Sequence, residues 1–170
     1  MVSGPLESVE ELAASWRKEF RGVDTSVLPP LVRLAQLASL MDAFQRQVLE
    51  PFEISYADYA ALSMLRRAGA PYELTPSQLY GRLERSSGGM TKILKRLEEA
   101  GWVKRSPDPT DGRGWRIGLT KRGLDLQDRL FHAYLQASKD LMAPLSATKQ
   151  RELDRALAQL VETFAGYVGK

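Results

Sequence analysis

The chain has 170 residues, 44% of them hydrophobic and 26% charged, with a formal net charge of +3 at neutral pH. That is the composition of one globular domain with a real core, and no stretch reaches the roughly 18 apolar residues of a membrane span. There is no cysteine and a single histidine, His132, which excludes disulfides, thiol redox chemistry and Cys- or His-rich metal clusters.

From Val9 the apolar residues Val9, Leu12, Ala13, Trp16 and Phe20 recur at helical spacing, which predicts a first helix ended by Gly22. Residues 22–30 read as a connector closed by Pro29 and Pro30. A second helix is predicted over about 31–50, with Leu31, Leu34, Ala38, Met41 and Leu49 inward and Pro51 at its end. Ser55 can cap a third helix over about 56–68, with Gly69 as its stop. In LTPSQL three signals agree: Thr75 as N-cap, Pro76 at N1, and Gln78 at N3 completing a capping box. That short helix is predicted over about 76–83.

After the break ERSSGG, either Ser86 or Ser87 caps a helix running to Ala100 and stopped by Gly101. GWVKRS and WRIGLT read as two short strands of a hairpin, joined by the Pro/Asp/Gly-rich loop PDPTDGRG. Thr120 caps a helix over about 121–142, which Pro144 closes. Ser146 caps the last helix, whose stripe is Leu153, Leu157, Leu160, Val161, Phe164 and Val168.

Short helix, tight turn, longer basic helix and hairpin together make a winged helix-turn-helix. The fold class expected is mainly α with a small β-hairpin wing. The 170 residues are expected to form a single domain: a DNA-binding region at about 54–122, flanked by dimerisation helices at about 7–50 and 123–168. Charge agrees with that division. Residues 75–122 hold eleven Lys and Arg against five acids, whereas the rest of the chain holds thirteen against sixteen. Positive charge concentrated in one region favours a polyanion partner, here double-stranded DNA.

In the basic helix, Met90, Ile93, Leu94 and Leu97 fall on an apolar face, with Lys92, Lys95 and Arg96 opposite. Its first turns hold Ser86 or Ser87, then Gly88, Gly89 and Thr91, where a recognition helix meets base edges and phosphates. Gly88 and Gly89 fit two readings equally: close approach of backbone N–H groups to a phosphate, or tight packing on the preceding helix. On the hairpin, Arg113 stands between Gly112 and Gly114, placed to enter a narrow minor groove. Arg105 and Arg116 add phosphate contacts, and Asp111 is expected to pair with an arginine and fix the loop. The alternatives at this point are an ordinary solvated helix face and a plain surface hairpin.

The segments LTPSQLYGRL and SSGGMTKILKRLEEAGWVKRSPDPTDGRGWRIGLTKRG resemble the MarR family of bacterial transcriptional regulators. The most specific part runs from the Leu/Glu run before Gly101, through Val103, Arg105 and the Asp-Pro pair, to Asp111-Gly112-Arg113, Leu119-Thr120 and Gly123. The resemblance implies a homodimer whose terminal helices join two winged modules. Such a dimer binds a pseudo-palindrome, usually represses, and often releases DNA when a small molecule binds. The helix from Ser87 to Arg96 would be the reader, and Arg113 the wing-tip arginine. Two residues depart from the pattern: Gly112 stands where many members carry a second arginine, and Arg85 occupies a turn position that is often apolar.

The segment MLRRAGAPYELTPSQL resembles a branch with an extended N-terminal helix, which implies an aromatic or phenolic effector, an aromatic acid among them. A pocket for it is expected from Trp16, Phe20, Phe44, Phe52, Tyr56 and Tyr59, with Arg33, Arg46 or Arg66 to meet a carboxylate; the alternative is that these aromatics are core. No phosphate-binding glycine loop, metal-ligand set or nucleophile motif is present, so no enzyme activity and no cofactor are expected. The N-terminus has neither a basic run nor an apolar core of a signal peptide, so a cytoplasmic protein off the membrane is expected.

Overall fold

The structure is a computed structural model that describes residues 8–83, 87–109 and 111–169, with 80–83, 87–88 and 111–113 described by backbone alone. It divides into two compact units, up to Gln127 and from Asp128 onward.

The first unit opens with α1 (Val9–Glu19), whose N-cap Ser8 and N3 residue Glu11 form a reciprocal capping box. It packs on α2 (Leu28–Leu49) and buries Val9 and Ala13. Here the expected boundary moves. Pro29 and Pro30 do not close a connector but lie inside the first turn of α2. Proline lacks an N–H, and the first turn leaves its N–H groups unpaired in any case, so the helix accepts both. A single 3-10 turn, Glu50–Phe52, follows and takes up Pro51.

Ser55 caps α3 (Tyr56–Arg67) as the sequence predicts, and Asp58 completes a capping box at N3. A two-residue strand, β1 (Glu73–Leu74), precedes α4 (Pro76–Leu83). The Thr75 box forms in both directions: Gln78 N donates to Thr75 Oγ1 at 3.3 Å and Thr75 N to Gln78 Oε1 at 2.9 Å. Then come α5 (Ser87–Glu99), β2 (Val103–Asp108) and β3 (Asp111–Leu119).

The sheet is antiparallel, in the order β1-β3-β2. Glu73 pairs with Gly118 and Leu74 with Ile117, so β1 closes the open edge of the hairpin. Packed together, α3, α4, α5 and the sheet bury Leu62, Leu65, Leu79, Met90, Leu97 and Ile117 almost completely. All four residues assigned to the apolar face of α5 are buried.

The join to α6 (Lys121–Met142) is tight. Thr120 Oγ1 accepts from Gly123 N at 3.0 Å and itself donates to Gly101 O at 2.8 Å, which ties the end of α5 to the start of α6. In the second unit, Ser146 caps α7 (Ala147–Val168), and the Gln150 amide bonds the carbonyls of Met142 and Leu145 across the turn. None of the α7 residues is buried.

Candidate nucleic-acid interface

The succession α4, α5 and the β2–β3 hairpin, with β1 as a third strand, is that of a winged helix-turn-helix. Ser87 is already helical, so it does not stand in the capping position before α5. Ser86 and Arg85 lie outside the described residues. With Met90, Ile93, Leu94 and Leu97 turned into the core, the opposite face presents Thr91, Lys92 and Lys95 to solvent. Lys92 makes no ion pair among the described residues. Lys95 lies 3.7 Å from Glu99 with both side chains largely exposed, a contact weak enough to give way to a phosphate.

The wing differs from the sequence expectation in extent. Gly112, Arg113 and Gly114 were expected in an open loop, but β3 begins at Asp111 and takes all three into the strand. Asp108 pairs with Asp111, with an irregularity in register between Pro107 and Asp108. Ladder hydrogen bonds outweighed the glycine and proline content that reads as loop. The wing is therefore a longer, stiffer ribbon, with Arg113 close to its apex.

Three arginines assigned to DNA are drawn into ion pairs within the chain. Arg96 reaches back to α3, donating from Nε at 3.1 Å and Nη2 at 2.5 Å to Asp58 Oδ1. Asp58 is buried, and its other oxygen accepts from Ser55 N and Oγ. Arg105 Nε lies 3.1 Å from Glu98 Oε2, which joins β2 to the end of α5. Arg116 Nε lies 3.3 Å from the buried Asp108 carboxylate. The side chain of Asp111, for which pairing was expected, lies outside the described residues; among those described, Asp108 pairs with Arg116.

The sequence reading missed Asp58, Glu98 and Asp108 as partners. For Asp58 the signal was present, since an acid three residues after Ser55 is a capping box. For the other two, only the folded register brings acid and base together. The interface thus has two kinds of cation: exposed lysines on α5, and arginines paired with carboxylates, of which Arg96 is hydrogen-bonded to its acid.

Of the residues expected to line an effector pocket, Trp16 and Phe20 stack on α1 with ring centroids 5.4 Å apart, and both are exposed. Tyr56 and Tyr59 meet on α3 at 6.1 Å. Phe44 is half-buried on α2. Arg33 pairs with Glu10 and lines a cavity of about 460 Å³ between α1, the following connector and the start of α2. Val9, Ala13, Arg17 and Asp24 also line that cavity, whereas the aromatic residues of the expected pocket do not.

Comparison with known proteins agrees with this architecture. Residues 52–114 match the profile of the MarR family. The chain is 32% identical over 154 residues to the HTH-type transcriptional regulator PecS of Dickeya dadantii, covering 91% of this chain and 92% of that protein. It is 30% identical over 134 residues to the multiple antibiotic resistance protein MarR of Escherichia coli, covering 75% of this chain and 91% of that one. Among solved structures, a variant of MarR from E. coli complexed with operator DNA superposes with a TM-score of 0.68 at 27% identity, over 81% of this chain and 99% of that one. The fold is also that of AbsC from Streptomyces coelicolor, with a TM-score of 0.74 at 22% identity over 86% of this chain and 99% of that chain. By fold, by the two-faced α5 with its wing, and by this level of identity, the chain belongs to the MarR family of transcriptional regulators.

Proposed function

We propose that the protein is a sequence-specific, dimeric DNA-binding regulator, a repressor that leaves a pseudo-palindromic operator when a small ligand binds. The observation that carries the reading is the split of α5, with four apolar residues buried and Thr91, Lys92 and Lys95 exposed opposite them beside a basic wing. A helix anchored on one face and cationic on the other is what insertion into a major groove requires. Ser87, Gly88, Gly89, Thr91, Lys92 and Lys95 are the proposed reading residues, and Arg113 the minor-groove contact. Arg96, Arg105 and Arg116 act with their paired acids, presenting to phosphates whatever edge the carboxylate leaves free. The relative crystallised with operator DNA supports this assignment.

Dimerisation is supported by apolar surface that the single chain leaves uncovered. On α7, Leu153, Leu160, Val161, Phe164, Tyr167 and Val168 are all exposed, and α2 leaves Leu31, Leu37 and Leu40 in solvent. A monomer seldom exposes so many large apolar side chains on its terminal helices, and a two-fold partner is the cover that fits a DNA dyad. The cavity beside Arg33, about 460 Å³, has the size of a small-ligand site and is the proposed place of an effector.

The test is fluorescence anisotropy with duplex DNA from upstream of the protein's own gene, across a salt series. Affinity should fall with a log–log slope of about −0.9 per phosphate contact. Lys92→Ala should flatten that slope by about one unit. Sedimentation should give twice the chain mass of 19.0 kDa, and a panel of aromatic carboxylic acids should include one that releases the duplex. A 19.0 kDa particle indifferent to DNA at low salt would refute the proposal.

A further inference from the structure

We propose that Trp115 is an additional DNA contact of the wing, and an apolar one, with its indole packed on the sugar–phosphate edge of the duplex. This rests on the wing's being a DNA-contacting element and adds to it a residue of a different chemistry. The register of the hairpin carries the argument. Val103 pairs with Leu119, Arg105 with Ile117, and Pro107 with Trp115. Side chains alternate along a strand, so Trp115, Ile117 and Leu119 share one face of β3. Ile117 and Leu119 are buried, but Trp115, two residues nearer the apex, is 53% exposed.

Among the described residues, the Trp115 indole N–H has no hydrogen-bond partner and the ring stacks on no other ring. Its cross-strand neighbour Pro107 is exposed as well. The apolar face of the wing thus continues past the core as a ledge made of one indole and one pyrrolidine ring. Both are stiff, and both are held by ladder positions, so docking against them immobilises little.

The charge around the ledge selects its occupant. Two acids beside the ribbon, Glu98 and Asp108, are met by Arg105 and Arg116. Lys104, which pairs with Gly118 and so lies on the other face of the ribbon, is exposed and has no acidic partner among the described residues. An apolar ledge on a ribbon that carries Lys104, Arg105, Arg113 and Arg116 against two acids, Asp108 and Asp111, is complementary to a surface that is anionic outside and apolar between its charges. The edge of duplex DNA has that character: deoxyribose carbons for the ring face, and phosphate oxygens for the indole N–H.

The experiment measures affinity for the upstream duplex over a salt series with wild type, Trp115→Ala, Trp115→Phe, Lys92→Ala and Arg113→Ala. An apolar contact releases no counterions. Trp115→Ala should therefore weaken binding about tenfold at every salt concentration and leave the slope unchanged. Trp115→Phe should keep most of the affinity. It should also abolish a DNA-induced change in tryptophan emission, since Trp16 and Trp102 remain in that variant.

Wild-type affinity in Trp115→Ala, or emission from Trp115 that ignores saturating DNA, overturns the inference. The emission test holds even if the alanine variant fails to fold. A shift in the monomer–dimer equilibrium of Trp115→Ala without loss of DNA affinity would assign the ledge to a protein contact and also overturn it. If Lys92→Ala and Arg113→Ala are silent too, the DNA-binding reading itself fails. If they flatten the slope while both Trp115 variants match wild type, only the present inference does.

Discussion

Removing either half of the Asp58–Arg96 pair should destabilise the protein, and removing both should cost little more than removing one. Asp58 is 3% exposed, whereas the Arg96 side chain is 53% exposed. Arg96→Ala therefore strands a buried carboxylate that keeps its two Ser55 donors but loses its counter-charge. Breaking such a pair costs on the order of 3 kcal/mol. Asp58→Ala loses the pair and the N3 half of the α3 capping box, while the freed guanidinium can turn to water. The cap contributes about 1 kcal/mol and the charge-assisted bonds about 2 kcal/mol. In the double variant no buried charge remains, so the coupling between the two positions should be about 2 kcal/mol. Urea denaturation of the four proteins measures it. A coupling below about 0.5 kcal/mol would refute the view that this carboxylate clamps α5 to α3, and would rank the contact with ordinary surface pairs.

Three further outcomes are expected. At Gly123 an added Cβ would meet the Trp102 carbonyl oxygen, so Gly123→Ala must push backbone apart and should cost about 2 kcal/mol in thermal or urea unfolding. Gln127 is buried and bonds Ser63 Oγ at 2.9 Å, but its Oε1 has no partner among the described residues. Gln127→Leu should therefore be neutral or stabilising by up to about 1 kcal/mol, and Gln127→Glu clearly destabilising. The Ser26 amide and hydroxyl hold the Asp24 carboxyl below its ordinary range. Because the folded value is the lower one, the stabilisation is present above the unfolded carboxylate value and is lost as pH falls through the depressed one. Ser26→Ala should raise the Asp24 value in an NMR titration, since it removes one of the two donors.

What the sequence by itself determined is what depends on neighbours a few positions away. Ser55, Thr75, Thr120 and Ser146 cap the helices they were expected to cap, because an N-cap is a bond across three residues. The buried face of α5 was legible for the same reason, as helical periodicity is local. The boundary of α2 and the reach of β3 were not: prolines and glycines state what a backbone tolerates, and packing or strand pairing then chooses among the tolerated options.

Only the tertiary structure decided the partners of the arginines. Arg96 finds an acid 38 residues away, and Arg116 finds one across the hairpin. Nothing in their spacing distinguishes them from Lys92, which stays unpaired among the described residues. Two-residue β1 was equally invisible, since a strand that short is defined by the edge of β3 it meets. The positions of the cations were written in the chain, but which of them are held and which are exposed depends on the acids that folding brings beside them.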